Sequence, residues 1–415
     1  MIHSLRAFHH RNFRLYFLGQ SLGGIGYWVQ QIAMSWLVYR LTGSPWLLGV
    51  TAFAGQIAVL VLAPFGGLWA DRVPRRKLLL ITQGAAAVPA FTLAALAHLD
   101  VVAVWHVIVM ASALGIVMAI DAPIRQSFLP EMVPARQDLP SAVAFNSGMY
   151  NAARMIGPTV AGVLLAVSSE AFCFLVNGVT KVFALIPISM MVIAPRQAPP
   201  HAVSVWRGFR EGAAYAWNLL PVRLLLPVVA LVSFMATPYQ ALMPIFAAEV
   251  FAGGAETLGF LIGAAGLGGI GGILALASRK EIRGLLRWVV AACGTAGAAL
   301  VVFSYSTHYW FSLALMTVAG AGIVITFNGI STIIHTIVED AMRGRVSGFY
   351  SMAFLGMYPL GSLAAGALAS GIGAANALAA GGLVCIAVAL WLARQLPRLR
   401  SHIRPIYVRL GVITP

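Results

Sequence analysis

The stretch Gly66-Gly67-Leu68-Trp69-Ala70-Asp71-Arg72-Val73-Pro74-Arg75-Arg76-Lys77-Leu78-Leu79-Leu80 joins two apolar segments through a short, strongly basic turn. The apolar run before it occupies residues 46–69, and the one after it occupies 78–98. Each is about the 20 residues that an α-helix needs to cross the hydrocarbon of a bilayer. The pattern repeats along the chain. Apolar segments lie near 14–39, 46–69, 78–98, 102–121, 142–167, 172–194, 223–247, 257–278, 286–305, 309–334, 346–370 and 374–393. None alternates with a period of two, so the spans are helices whose backbone groups are satisfied internally.

Composition points the same way. Hydrophobic residues make up 60% of the 415 residues and charged residues only 9%, whereas a soluble domain carries about 25% charged residues. The net charge of +15 raises nucleic acid as a partner. The basic residues fall in short runs between apolar segments, with no stripe and no interleaved aromatics, and nucleic acid is not expected. With the N-terminus cytoplasmic, all of the 27 Lys and Arg except Arg40, Arg154 and Lys181 lie in inside segments, as the positive-inside rule requires. An even number of spans returns the basic tail to the same side. The expectation is a multi-pass protein of the bacterial inner membrane with both termini cytoplasmic, and no cleavable leader, because the first apolar segment is too long for one.

The longest loop divides the chain. Residues 1–194 form the first six spans, 195–222 a cytoplasmic linker, 223–393 the second six spans and 394–415 a basic tail. In the linker, Trp206, Phe209, Ala213, Trp217 and Leu220 recur at helical spacing beside polar Arg207, Arg210, Glu211 and Asn218. That spacing predicts an amphipathic helix on the inner membrane surface. The segment GGILALASRKEIRGLL (271–286) echoes GGLWADRVPRRKLLL, which suggests that the two halves are parallel repeats with a substrate site between them.

Several patterns lead nowhere. Gly266 to Gly271 fits a dinucleotide fingerprint, and Gly19 to Gly23 fits a nucleophile elbow, but both sit inside apolar helices rather than after a strand. No phosphate-binding GK[ST] occurs, so transport energy must come from a gradient or a partner. Cys173, Cys293 and Cys385 lie in apolar runs without metal or redox spacing and read as packing residues. No enzyme chemistry, cofactor or metal is expected.

The loop from Gly67 to Lys77 resembles the signature between the second and third spans of the major facilitator superfamily, usually written G-x-L-A-D-R-x-G-R-R. It departs at Trp69 and Pro74. The fifth span carries Arg154-Met155-Ile156-Gly157-Pro158-Thr159-Val160-Ala161-Gly162, similar to the GPxxGG motif of exporting members, with Ala161 in place of a Gly. WVQQIAMSWLVYRLTGS (28–44), DAPIRQSFLPEMV (121–133) and MRGRVSGFYSMAFLGMYPLGSLAAG (342–366) resemble the bacterial branch of enterobactin-type siderophore exporters, macrolide efflux proteins and transmembrane secretion effectors, apart from His335 where Gln is expected. The resemblance implies an all-α fold of twelve transmembrane helices in two pseudo-symmetric six-helix bundles.

It also implies roles. Gly67, Asp71, Arg72, Arg75 and Arg76 would form a gating loop, Asp71 capping a helix N-terminus and the arginines pairing with acids across the cytoplasmic face. Arg154, Gly157, Pro158 and Gly162 would form the exporter motif, the proline bending its helix and the glycines meeting the glycine-rich eighth span around Gly259 and Gly263. Coupling candidates are Asp121, Arg125 and His335. Asp121 is read as ending the fourth span, which weakens proton antiport, and His335 offers a group that titrates near neutrality. Arg154 is read as a partner of Asp121 or Glu131. Lys181, one turn after Asn177, either attracts an anionic substrate or is buried without that role. Candidate cavity residues are Tyr27, Trp28, Gln31, Asn146, Asn177, Lys181, Tyr239, Gln240, Asn328, Tyr350 and Tyr358, polar or amphipathic groups on apolar spans. The expected activity is export of a small amphipathic molecule, siderophore or drug-like, by alternating access and proton antiport. Partners are the substrate, the proton and membrane lipid, and nothing requires more than a monomer. An uptake facilitator, a lipid flippase and a non-transporting scaffold stay open as alternatives.

Overall fold

A computed structural model describes residues 3–72, 74–193, 205–279 and 283–409, with side chains left undescribed at 3–5, 63–72, 205–209, 341 and 409. Among the described residues the chain is helical throughout. The first half comprises α1 (Arg11–Thr42), α2 (Pro45–Arg72), α3 (Arg75–His98), α4 (Val104–Met132), α5 (Leu139–Val167) and α6 (Glu170–Ser189). After the linker helix α7 (Val205–Asn218) come α8 (Leu220–Met235), α9 (Tyr239–Ile245), α10 (Ala255–Ala277), α11 (Leu285–Tyr305) and α12 (Tyr309–Ile337). The chain continues through α13 (Asp340–Ser351), α14 (Met357–Ile372) and α15 (Ala374–Arg409). The seventh span is α8 and α9 in series, ending in a π-turn at Phe246–Val250, and the eleventh is α13 and α14 joined by a π-turn at Met352–Gly356. With α1–α6, α10, α11, α12 and α15 these account for all twelve expected spans.

Ten of them are long and apolar enough to cross a membrane. The first and fifth, α1 and α5, have 32 and 29 residues but are less apolar, because each carries polar groups along its length: Gln20 and Gln30 on α1, Asn146 and Arg154 on α5.

The molecule divides into two compact units, residues 1–200 with 244–263, and 201–243 with 264–415. In the first unit α1 packs on α5 and α6, α3 packs on α4 and α6, and α2 packs on α4. In the second unit α8 packs on α14 and α15, and α11 packs on α12 and α15. The neighbours of the first, third, fourth, fifth and sixth spans thus recur among the seventh, ninth, tenth, eleventh and twelfth, the pattern of a parallel repeat. The repeat extends to single residues. Gly115 of α4 sits against the Gly55 carbonyl of α2, and Gly320 of α12 against the Ala265 carbonyl of α10; a methyl group at either glycine would overlap that oxygen. Small residues allow such backbone approach, which in lipid replaces the hydrophobic drive for helix association.

Two expectations about local structure change. The signature turn is mostly helix, since α2 runs through Arg72 and α3 begins at Arg75. The fourth span does not end at Asp121, since α4 continues to Met132 through Pro123 and Pro130. Those prolines, with Arg125 and Glu131, interrupt the apolar run but not the helix, because neighbouring helices satisfy the groups a proline frees.

The N-terminal turn His3–His9 folds back on the first unit. Phe8 meets Phe145 edge-on at 4.8 Å and Phe17 at 5.1 Å, over a buried cluster that includes Phe13, Tyr16, Ile124 and Phe128. His10 Nε2 lies 3.0 Å from Asp138. Cys173, Cys293 and Cys385 are buried and unbridged, and the Cys293 thiol donates to the Cys385 carbonyl at 3.4 Å.

Candidate functional site

Apolar helices in lipid leave few places for a charge, so each buried polar group needs a stated partner. In the first unit these groups converge. Asp121 on α4 is wholly buried. Its Oδ1 accepts from Thr82 Oγ1 at 2.5 Å and from Gln83 Nε2 at 3.1 Å, both on α3. Its Oδ2 lies 2.7 Å from Arg125 Nε, one turn further along α4. Arg125 in turn donates to Gln20 Oε1 on α1 at 3.0 Å and stacks over the Tyr150 ring of α5 at 4.9 Å. Tyr16 of α1 donates to Asn146 Oδ1 of α5 at 3.0 Å. Four helices therefore meet at one buried ion pair.

A second polar patch lies further along α1. Asn177 of α6 donates to Gln30 Oε1 at 2.5 Å, and Lys181, also buried, donates to the Gly23 carbonyl at 3.2 Å. Asn177 and Lys181 do share a helix face, as their spacing predicts. Lys181 has no acid within ion-pair distance among the described residues.

The expected partners of Arg154 are taken by other groups. Asp121 belongs to Arg125, and Glu131 lies 2.7 Å from Arg75. Arg154 is exposed on α5, its guanidinium 5.9 Å from the Trp28 ring centre. The reason is geometric: a carboxylate one turn away on α4 reaches Arg125 without crossing to another helix.

The segment from Gly157 to Gly162 forms a close seam. Gly157 fits against Trp28 of α1. A methyl at Gly162 would lie 3.0 Å from Gly259 Cα and 3.1 Å from the Glu256 carbonyl, and one at Gly259 would lie 2.6 Å from Gly162 Cα and from the Pro158 carbonyl. Glycine is needed at both positions because two backbones touch there. Gly263 continues the seam against Thr159.

At the start of α3, Arg75 also donates to the Ser127 carbonyl at 2.7 Å. Arg76 donates to the Ile188 carbonyl at 3.1 Å and to the Ser189 carbonyl. It thus caps the C-terminus of α6, where a cation suits the free carbonyls, instead of pairing with an acid. The side chains of Gly67, Asp71 and Arg72 lie outside the described residues. At the other end of α1, Tyr39 donates to Glu249 at 3.1 Å, and its neighbour Arg40 holds Glu170 at 2.7 Å.

The remaining candidates are spread out. Gln31 donates to the Tyr27 hydroxyl at 3.3 Å, and Trp28 meets Tyr27 edge-on. Gln240 donates to the Tyr239 hydroxyl at 3.3 Å, and Tyr239 itself is buried. Tyr350 donates to the Phe327 carbonyl at 2.8 Å. Asn328 is exposed and bonds its own helix at Val324. Tyr358 and His335 are half-buried, and His335, on α12 of the second unit, is not part of the Asp121 network. The linker helix α7 docks on α13 within the second unit: Glu211 lies 2.9 Å from Arg345, and the Glu339 amide donates to the Tyr215 hydroxyl at 3.3 Å. Trp206, Arg207 and Phe209 lie outside the described side chains.

Sequence reasoning missed Gln20, Gln30, Thr82, Gln83, Tyr16 and Tyr150. The signal was present on α1: Tyr16, Gln20, Gly23, Gly26 and Gln30 follow each other at three- and four-residue steps on one face. That face selects Gln30 over its neighbour Gln31 as the deeply buried amide.

Residues 2–406 match the family described as transmembrane secretion effector. The chain belongs to that family. It is a polytopic membrane transporter of the major facilitator superfamily. Relatives in the branch include the Staphyloferrin A transporter of Staphylococcus aureus, 25% identical over 404 residues that cover 93% of this chain and 97% of its own. The Multidrug efflux pump Tap of Mycolicibacterium fortuitum is 25% identical over 392 residues, covering 91% and 94%. The Enterobactin exporter EntS of Escherichia coli O1:K1 is 24% identical over 349 residues, covering 82% and 81%. Among solved structures, a bacterial homologue of the human lysosomal transporter Spinster aligns with a TM-score of 0.70 at 14% identity, over 95% of this chain and 97% of that one. That likeness establishes the major facilitator fold.

Proposed function

We propose that this family member exports a small amphipathic molecule, a siderophore or drug-like compound, across the bacterial inner membrane by alternating access, in exchange for protons. The observation that carries the proton is the Asp121 carboxylate. It lies inside α4, wholly buried, and is held by Thr82, Gln83 and Arg125. A carboxylate so placed is costly in a membrane and marks ion or proton pathways. Protonation of Asp121 would release Arg125 to Gln20 and Tyr150, and through them to α1 and α5, the helices that carry Trp28 and the Gly157-Pro158 motif. The proton event is thereby tied to the helix that closes the seam on α10.

Export as the direction is supported by that seam and by the exporter and efflux pump among the relatives. The basic inside segments support cytoplasmic termini, and a monomer satisfies every contact described. Expressing the protein in a cell that accumulates siderophores or antibiotics from a small panel tests the direction. Lower steady-state accumulation of a panel member supports export; accumulation that only rises overturns it.

A further inference from the structure

Three positions on α5 stand one turn apart: Asn146, Tyr150 and Arg154. The first two are engaged, Asn146 by the Tyr16 hydroxyl and the Tyr150 ring by Arg125. Arg154 ends the row. Among the described residues it has no acid and no hydrogen-bond acceptor, only the Trp28 ring 5.9 Å away, and its side chain is exposed. It stands fifteen residues into a 29-residue helix, which at 1.5 Å per residue puts it about 22 Å along a rod of about 44 Å. A guanidinium exposed at that depth cannot face lipid without a cost of about 2.5–3.5 kcal/mol, so the Arg154 end of the row is placed to meet water rather than lipid.

From this placement we infer that Arg154 and Trp28 form the recognition site for an oxyanion on the cargo, a carboxylate on an amphipathic body. The inference rests on the export reading above and specifies its substrate class. Arg125 is neutralised by Asp121, so of the two arginines within the described parts of α4 and α5, Arg154 is the one left to meet a charge that arrives from outside the protein. The planar guanidinium offers two parallel donors that match a carboxylate. The indole face steadies the guanidinium and gives an apolar floor for the carbon skeleton beside the charged group. Lys181 is less suited, because it is buried and bonded to the Gly23 carbonyl.

The experiment uses the full chain in proteoliposomes and two sets of probes: citrate-type siderophores and carboxyfluorescein, and the methyl esters of the same compounds. A fluorescent lysophosphatidylglycerol forms a third arm, since a lipid phosphate presents the same oxyanion. The native protein should move at least one acid roughly tenfold faster than its ester, the size of one charge-assisted bond. Arg154→Gln should remove that preference by slowing the acid more than its ester, and Arg154→Lys should keep part of it. Because Arg154→Gln could impair folding, each variant is accepted only with native melting behaviour, and the lysine variant by itself still reads the loss of the planar fork. Equal rates for acid and ester in the native protein, or an intact preference in Arg154→Gln, overturns the carboxylate assignment and leaves export standing. Movement of the lysolipid alone overturns it in favour of lipid phosphate. If no probe moves at all, the export reading itself fails, and this inference with it.

Discussion

Asp121 Oδ2 and Arg125 Nε lie 2.7 Å apart on successive turns of α4, and the carboxylate is wholly buried. The pair is neutral as a unit, yet each member also holds a different neighbour: Asp121 holds α3 through Thr82 and Gln83, and Arg125 holds α1 through Gln20. Removing one partner leaves the other charged and buried, at a cost of about 3–5 kcal/mol. Asp121→Ala is therefore expected to lower the thermal midpoint sharply. Asp121→Asn combined with Arg125→Gln should restore much of it, yet not restore gradient-driven transport. Thermal melts in detergent alongside transport assays check both halves. A double variant that recovers coupled transport would show the pair to be purely structural.

The Gly162–Gly259 seam makes a different prediction. A side chain at Gly259 meets two backbone atoms of α5 at 2.6 Å, and backbone cannot yield as a flexible side chain can. Gly259→Val should force α5 and α10 apart, while Gly162→Ala, with 3.0–3.1 Å contacts, should have a milder effect. The check is passive efflux of a small trapped dye from proteoliposomes, which should rise for Gly259→Val and rise less for Gly162→Ala. Tight vesicles with either variant would contradict a sealing role.

Much of this was legible in advance. Twelve apolar runs, the basic turns between them and the GP motif predict the fold because lipid punishes any other arrangement. The site was less legible. Asp121 was read as the end of a span because Pro123, Arg125 and Pro130 break the hydropathy, and only the neighbouring helices show that α4 continues. Arg154 was paired with acids that turned out to have nearer cations, since hydropathy sets depth but not rotation about the helix axis.

Tyr39 and Arg40 hold two different helices from adjacent positions, Glu249 and Glu170. A single hydrogen bond is worth about 0.5–1.5 kcal/mol, enough to shift a two-state population by roughly two- to tenfold. Tyr39→Phe is predicted to favour the state open to the outside. The measure is labelling of a Gln31→Cys variant by a membrane-impermeant maleimide from the external side, which should speed up by that factor. Unchanged labelling would mean that the Tyr39–Glu249 bond does not bias the two states of the proposed alternating-access cycle.

Arg75 and Glu131 tie the start of α3 to the end of α4 at 2.7 Å, and both are largely buried. Either Arg75→Glu or Glu131→Arg alone should depress transport severely, because like charges then face each other in a poorly solvated place. The double swap should recover a substantial part. Recovery is read as transport rate per folded protein; no recovery would mean that the Arg75 bond to the Ser127 carbonyl, rather than the ion pair, carries the role.

The central claim is that a proton on Asp121 drives the cargo outward. The most direct test is transport by purified protein in liposomes with and without an imposed pH gradient, across a panel of siderophores and antibiotics, for the native chain and Asp121→Asn. Gradient-stimulated movement of a panel member by the native protein, lost in Asp121→Asn while exchange without a gradient persists, is the predicted result. Transport that ignores the gradient in the native protein, or that responds to it equally in Asp121→Asn, would contradict the claim.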